Sequence, residues 1–429
     1  MNPRNNAHDE HLIHFVCPGV SVRASESRSS CISSERCLIS RPRPASFNSR
    51  KFYGQCLQVN VRFVRNRFFS PISDTGSPSI CSSGEPVSPH KSSSPPPGSF
   101  EALYVPTLES LVERQFSIEN LDTSKLKILA GPSSRELASE IARYVGVPVS
   151  KVQHKQFADG ETYVQINESV RGCDVFIVQS VCAPVNERLM ELLIMVDACK
   201  RASCGSVTAV LPYHGYSRAD RAATGESITA KLVANLVTTS GASRCIVVDL
   251  HTPQTGGFYD IPIDMVQASP VMLEYLKLKQ FKEDVVIVSP DVNGVSRARA
   301  FAESFTSFCG VDARLAIVDD RTLIGEVEGC AAVILDDLID TASTISSAAR
   351  FLREMGAKSL LAVATHPVFS PAAVPRLSSP DFDEVIVTNT ISVIPERRFP
   401  HLKVLSIAGL LGETILRVHS SRSVKSMFC

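Results

Sequence analysis

Short apolar runs alternate with longer stretches of helical spacing from about residue 125 to residue 420. The runs at 126–130, 174–178, 206–211 and 245–250 are rich in Val and Ile, as expected of strands buried on both faces. Between them, residues 132–144 place Leu137, Ile141 and Tyr144 on one helical face. Residues 186–201 do the same with Leu189, Leu192, Leu193 and Val196, and 228–238 reads as a third helix. The alternation then starts again. Helices are expected at 271–278, 295–305, 345–355 and 410–418. Strands are expected at 285–289, 315–318, 331–335, 359–365, 384–388 and 402–407. This order predicts an α/β fold with largely parallel sheets. It reads as two similar domains, 125–268 and 269–420, without an internal repeat strong enough to prove duplication.

Residues 1–100 break the pattern. They are rich in Ser, Pro and Arg, poor in acids, and close on Ser-Ser-Ser-Pro-Pro-Pro-Gly at 92–98. Arg62, Arg65 and Arg67 stand among Val and Phe. This is the composition of an organelle transit peptide followed by a disordered linker. A plastid is the expected destination and a mitochondrion the second choice. Asp9 and Glu10 are atypical for such a segment.

The whole chain carries no net charge, which argues against a nucleic-acid or membrane-surface role driven by bulk charge. Its longest apolar runs, about 5–8 residues, fall short of the roughly 18 that a membrane-spanning helix needs. None of the 13 cysteines forms a CxxC pair, so a zinc site is not expected and a reducing compartment is. Cys199 and Cys204 read as small, partly buried hydrophobes.

Candidate chemistry gathers at predicted strand ends. After the run at 331–335 come Asp336 and Asp337, then Asp340 and the small and hydroxyl residues Thr341, Ala342, Ser343 and Thr344, then a helix. An acidic turn leading into a helix entry suits a sugar phosphate: carboxylates for ribose hydroxyls, free N–H groups and hydroxyls for the phosphate. An N-capped helix after an acidic turn accounts for the same residues. Strands also end at Asp249 and His251 and at Asp291. His251 and Asp291 are the natural pair to hold Mg²⁺, which takes one or two protein groups and completes its shell with water and phosphate. Arg218 and Arg221 follow another strand and are spaced to face a polyphosphate, or form a solvated basic loop. Phe157, Asp159, Gly160 and Glu161 offer an aromatic face and two acids for an adenine and its ribose; from composition alone a plain β-turn is the simpler account of them.

Taken together, FADGE (157–161), ESVRGCDVF (168–176), NERLMELLIMVDACKRAS (186–203), PYHGYSRADR (212–221), ITAKLVANLV (228–237), VVDLHTPQTGGFYDIPID (247–264), VSPDVNGVSRARAFA (288–302) and LDDLIDTAST (335–344) resemble the ribose-phosphate pyrophosphokinases. The resemblance covers residues 125–428. It implies two phosphoribosyltransferase-like domains and transfer of the diphosphoryl unit of ATP to C1 of ribose 5-phosphate with Mg²⁺. It also implies dimers assembling to a hexamer, or a hetero-oligomer with related subunits. By position, Phe157, Asp159, Gly160 and Glu161 border adenine and Arg218 meets the ATP phosphates. His251 and Asp291 serve Mg²⁺, Asp336 and Asp340 hold the ribose hydroxyls, and 340–344 cradles the 5-phosphate.

The resemblance has gaps. The family places a Lys-Arg-Arg sequence, opening a flexible catalytic loop, after the strand at 315–318. Here Asp320 stands at the Lys position, Arg321 is the nearby cation, and the loop is shortened. Ser343 replaces a Gly usual in the phosphate loop, where a side chain crowds close approach. Three readings are therefore in play: an active plastid synthetase, a catalytically impaired or regulatory subunit, and a phosphoribosyltransferase sharing only the LDDLIDTAST loop.

Overall fold

The computed structural model of the chain describes residues 121–319 and 321–428. The transit-peptide and linker reading, and the Asp320 side chain, lie outside the described residues.

The chain begins with β1 (Leu126–Ala130), a short 3₁₀ turn and α1 (Arg135–Val145), which turns Leu137, Ala138, Ile141, Ala142 and Val145 inward. A two-stranded antiparallel hairpin follows, β2 (Val152–Gln156) with β3 (Thr162–Ile166). Then come β4 (Asp174–Val178), α2 (Val185–Arg201), β5 (Ser206–Leu211), α3 (Thr229–Ser240), β6 (Arg244–Val248) and β7 (Ile263–Val266). The main strands make a wholly parallel sheet in the order β1-β4-β5-β6-β7. The hydrophobic pattern does not mark β7, an edge strand of only four residues.

The second half runs α4 (Ser269–Lys277), β8 (Val285–Ser289), α5 (Val295–Cys309), β9 (Ala313–Asp319), β10 (Thr322–Ile324) and β11 (Ala331–Ile339). It continues through α6 (Ser343–Glu354), β12 (Ser359–Pro367), α7 (Ala373–Leu377), β13 (Glu384–Thr388), β14 (Leu402–Leu405) and α8 (Ala408–His419). The sheet order is β10-β9-β8-β11-β12-β13-β14, parallel except for β10 against β9. The expected α/β architecture with parallel sheets is therefore observed.

One expectation is corrected. Asp336 and Asp337 do not sit in a turn, because β11 continues to Ile339. Its neighbour β12 is equally long, with Asp336 opposite Ala364, Leu338 opposite His366 and Ile339 opposite Pro367. A strand of matching length gives these backbone groups ladder partners, which outweighs the local turn signal of two acids.

A single apolar interior joins the two sheets. Ile128, Phe176 and Ile246 of the first share it with Ile287, Val333 and Val363 of the second, together with Leu273 of α4 and Leu411 of α8. The last helix returns to pack on α1, where the backbone of Gly412 lies so close to Tyr144 that a Cβ would sit 2.4 Å from its ring. This shared core fixes the carboxyl ends of β6 and β11 near each other, where ligands bind in open α/β sheets.

Candidate active site

The floor of the site is a buried polar network between the sheets. Asp249, just past β6, has a positive φ of 36°. Its carboxylate accepts from Thr365 Oγ1 at 2.7 Å and from the Ala268 N–H at 3.1 Å. Burial pushes its pKa up, opposed mainly by the Thr365 hydrogen bond. His366 Nε2 lies 2.9 Å from the Asp249 carbonyl and its Nδ1 lies 3.0 Å from Thr390 Oγ1. Burial lowers the His366 pKa and favours the neutral ring. Thr388 closes the network by donating to the Thr365 carbonyl at 2.7 Å. Buried polar groups are tolerated only when partnered in this way, and such a network holds its strand ends in one arrangement.

Above this floor lies a charged group drawn from both sheets. His251 Nδ1 is 2.7 Å from Asp337 Oδ2. Arg297, in the first turn of α5, donates from Nη1 to Asp337 Oδ1 at 3.0 Å and from Nη2 to the His251 carbonyl at 3.3 Å. The same Nη1 approaches Asp336 Oδ1 at 3.5 Å. The two adjacent acids differ in environment: the Asp337 side chain is 5% exposed and that of Asp336 27%. Burial pushes Asp336 up to about 7, reinforced by the neighbouring Asp337 carboxylate. Burial also opposes ionisation of Asp337, but the His251 hydrogen bond and the Arg297 charge outweigh it and hold that carboxyl well below its usual range. The same hydrogen bond raises His251 against its own desolvation.

The loop after β11 forms the next wall. Asp340 accepts from Arg218 Nη1 at 2.8 Å and from the Ser370 hydroxyl, and its carbonyl takes the Ser370 N–H at 3.0 Å. Ala342 has a positive φ of 58° and precedes α6. Thr341, Ser343 and Thr344 are exposed, and their hydroxyls have no hydrogen-bond partner among the described residues. Arg376 pins the loop from outside through the Thr341 carbonyl at 2.6 Å. The left-handed residue is Ala342, not Ser343, so the Ser in place of Gly starts the helix in ordinary geometry. An exposed helix start with unpartnered hydroxyls has the chemistry of an anion cradle.

Other candidates make no described hydrogen bond or ion pair with this group. Asp291 lies in the turn before α5, accepting the Gly294 N–H at 2.8 Å on Oδ1, while its second oxygen is unpartnered among the described residues. No hydrogen bond joins it to His251 among those residues. Phe157, Asp159, Gly160 and Glu161 form the exposed tip of the β2–β3 hairpin: Asp159 accepts the Glu161 N–H at 3.1 Å, and Gly160 has a φ of 92°. Phe157, 54% exposed, meets the edge of Tyr163 at 5.9 Å. No described hydrogen bond or ion pair links this tip to Arg218 or His251. Arg321 is exposed beside the β9–β10 reversal, where Thr322 pairs directly with Asp319. It too has no described contact with the group.

Among the described residues, no cluster of three or more His, Cys, Asp or Glu side chains is arranged to hold a metal. Mg²⁺ needs only one or two carboxylates when phosphates and water supply the rest. Asp291 and the half-buried Asp336 are oxygen donors of this kind. His251 fits less well as a ligand, because Asp337 engages Nδ1 and only a nitrogen is left to a cation that prefers oxygen. Its free nitrogen suits a phosphate oxygen.

Arg297, Thr365, His366 and Ser370 are not marked by the sequence, whereas Asp249 is. Arg297 lies in a helical pattern, and Thr365 and His366 read as the end of a core strand. Only Asp249 carried a signal, an acid at a strand end two residues before His251.

Residues 126–241 match the family described as the N-terminal domain of ribose phosphate pyrophosphokinase, and residues 317–429 that described as the phosphoribosyl synthetase-associated domain. A ribose-phosphate pyrophosphokinase of Nostoc sp. is 55% identical over 318 residues, which span 72% of this chain and 94% of that protein. Ribose-phosphate pyrophosphokinase 1 of Spinacia oleracea is 54% identical over 321 residues, 72% and 94% of the two chains. A chloroplastic ribose-phosphate pyrophosphokinase 2 of Arabidopsis thaliana is 54% identical over 331 residues, 74% and 81%. Among solved structures, phosphoribosylpyrophosphate synthetase from Mycobacterium smegmatis superposes with a TM-score of 0.66 at 43% identity, covering 69% of this chain and 99% of that one.

Proposed function

The chain belongs to the ribose-phosphate pyrophosphokinase family, and on that premise we propose how its own residues carry the reaction. The enzyme transfers the diphosphoryl group of ATP to ribose 5-phosphate, giving phosphoribosyl pyrophosphate and AMP. The observation that carries the assignment of roles is the meeting of His251 with Asp337 and of Arg218 with Asp340. Each pair joins a polyphosphate-suited loop of the first sheet to the acidic sugar-phosphate segment of the second.

In this reading the exposed start of α6, with Thr341, Ala342, Ser343 and Thr344, takes the 5-phosphate through N–H groups and hydroxyls. Asp336 and Asp340 accept from the ribose hydroxyls and orient the C1 hydroxyl. Arg218 and His251 face the ATP phosphates, and Phe157, Asp159, Gly160 and Glu161 border the adenine. Asp291 and Asp336 would offer carboxylate oxygens to Mg²⁺. Mg²⁺ would neutralise the phosphate charge that builds as the diphosphoryl group moves. The remaining contribution is positioning and charge stabilisation by side chains, which is most of what phosphoryl transfer asks of a protein. Arg321 is the cation available near the shortened loop.

The experiment is AMP formation from ATP and ribose 5-phosphate with Mg²⁺, comparing the wild type with His251→Ala and Asp336→Asn. His251→Ala should raise KM for ATP, and Asp336→Asn should raise KM for ribose 5-phosphate. Unchanged constants in both would refute the assignment. We further propose a homo-oligomer in the chloroplast, supported by the chloroplastic relatives and the match to the synthetase-associated domain. Sedimentation of the purified chain tests the assembly.

A further inference from the structure

We propose that Asp337 and Arg297 are positioning residues that together clamp His251, at both its ring and its backbone, onto the second sheet. Three observations carry this. Asp337 Oδ2 holds the His251 ring through Nδ1 at 2.7 Å. Asp337 Oδ1 is held by Arg297 Nη1 at 3.0 Å, so both carboxylate oxygens are engaged. Arg297 Nη2 reaches the His251 carbonyl at 3.3 Å, closing a ring of contacts between β11, α5 and the segment after β6.

The burial difference separates the roles of the two neighbouring acids. With its side chain 5% exposed, Asp337 has little surface to offer a substrate, while Asp336 at 27% remains open. A carboxylate bonded to one imidazole nitrogen fixes the orientation of the ring and presents the other nitrogen outward. The planar guanidinium is suited to spanning Asp337 and the His251 carbonyl at once, which a single ammonium does less well. His251 precedes a loop that leads away through a 3₁₀ turn, Pro253–Phe258, so without this grip its ring has no other described hydrogen-bond partner.

The clamp stands on these contacts alone; its effect on ATP rests on the reading of His251 as an ATP-phosphate contact. The test therefore has two arms. Solid-state NMR of the full chain labelled with ¹⁵N-histidine, with His251→Gln to assign the signals, reads the ring directly without nucleotide or metal. Asp337→Asn should move the His251 Nδ1 signal. Arg297→Lys should leave the Nδ1 bond but broaden the signals of a ring no longer fixed at its backbone. Steady-state kinetics then divide the effect between substrates. Both variants should raise KM for ATP at least about tenfold while KM for ribose 5-phosphate stays within about twofold.

Unmoved ring signals in Asp337→Asn overturn the clamp. Moved signals with an unchanged ATP KM overturn its positioning role if His251→Ala still raises that KM. If His251→Ala leaves the KM unchanged as well, the reading of His251 fails instead. A rise in the ribose 5-phosphate KM alone overturns the proposal by making Asp337 a substrate contact. If Asp337→Asn does not fold, Arg297→Lys carries both arms.

Discussion

The guanidinium of Arg218 donates to the carboxylate of Asp340 over 2.8 Å, although the two residues lie 122 positions apart. The pair links the loop after β5 to the loop after β11. Each group is assigned to a different substrate, so binding must exchange this contact for contacts to phosphate and ribose. The pair is half in water, with side chains 50% and 23% exposed. Exposed pairs of this kind contribute only about 0–1 kcal/mol to stability.

Replacing Arg218 by Ala should therefore barely change the melting temperature. It should lower kcat/KM for ATP by at least about tenfold, the scale of one lost charge-assisted contact of roughly 1.5–3 kcal/mol. Calorimetric melting and initial rates measure the two effects. A large drop in melting temperature would assign Arg218 a structural role instead.

The acids of β11 predict a pH dependence. Asp336 is raised to about 7, by burial first and by Asp337 second. The folded chain thus binds a proton that the unfolded chain releases near pH 4, and this contribution to stability declines as pH rises from about 4 toward 7. His251 is also raised, by its bond to Asp337; its contribution is complete below its unfolded value and is lost as pH rises through its folded one. Asp337 has the opposite sign, and its contribution is lost in acid as pH falls through its depressed folded value. In urea titrations, Asp336→Asn should gain stability relative to the wild type as pH rises from 4 to 7, then level off. A constant difference would contradict the raised Asp336.

Thr365→Val removes a hydroxyl donor from a buried carboxylate while preserving shape. Asp249 would keep the Ala268 N–H but lose its 2.7 Å partner. A buried acceptor left short of a donor costs about 1–3 kcal/mol. Denaturant midpoints should fall accordingly, with KM for both substrates nearly unchanged.

The reversal between β9 and β10 spans only positions 320 and 321, since Asp319 and Thr322 are paired. A cationic donor acting on the transferring group is worth about 3–4 kcal/mol, or 10²–10³ in rate. Lengthening this reversal with a Lys-Arg-Arg loop should speed single-turnover AMP formation about 100-fold, with little change in ground-state affinity. Arg321→Ala in the native chain should slow the same step. No change from either would mean that other cations serve the diphosphoryl group.

A fusion of residues 1–100 to a fluorescent protein should enter chloroplasts, given their Arg- and Ser-rich, acid-poor composition. Diffuse cytosolic fluorescence would rule out the targeting role.

The sequence by itself determined the elements and much of the chemistry at their ends. The apolar runs at Leu126–Ala130, Asp174–Val178, Ser206–Leu211, Val285–Ser289 and Glu384–Thr388 became strands with the expected bounds. Strands buried on both faces must be continuously apolar, and that requirement is local. An acid or a histidine ending such a run is equally visible in one dimension, which is why Asp336, Asp340, His251 and Asp291 could be selected. The tertiary structure decided which of them meet. His251 meets Asp337, 86 residues away, and Arg297 of an ordinary helix ties the two together. The extension of β11 through Asp336 and Asp337 depended on a β12 of matching length. The buried links of Asp249 to Thr365 and His366 likewise required two sheets packed on one core. Hydrophobic periodicity records how deeply each residue is buried; it carries no information on which distant side chain completes a hydrogen bond, because that choice is made only when the sheets pack.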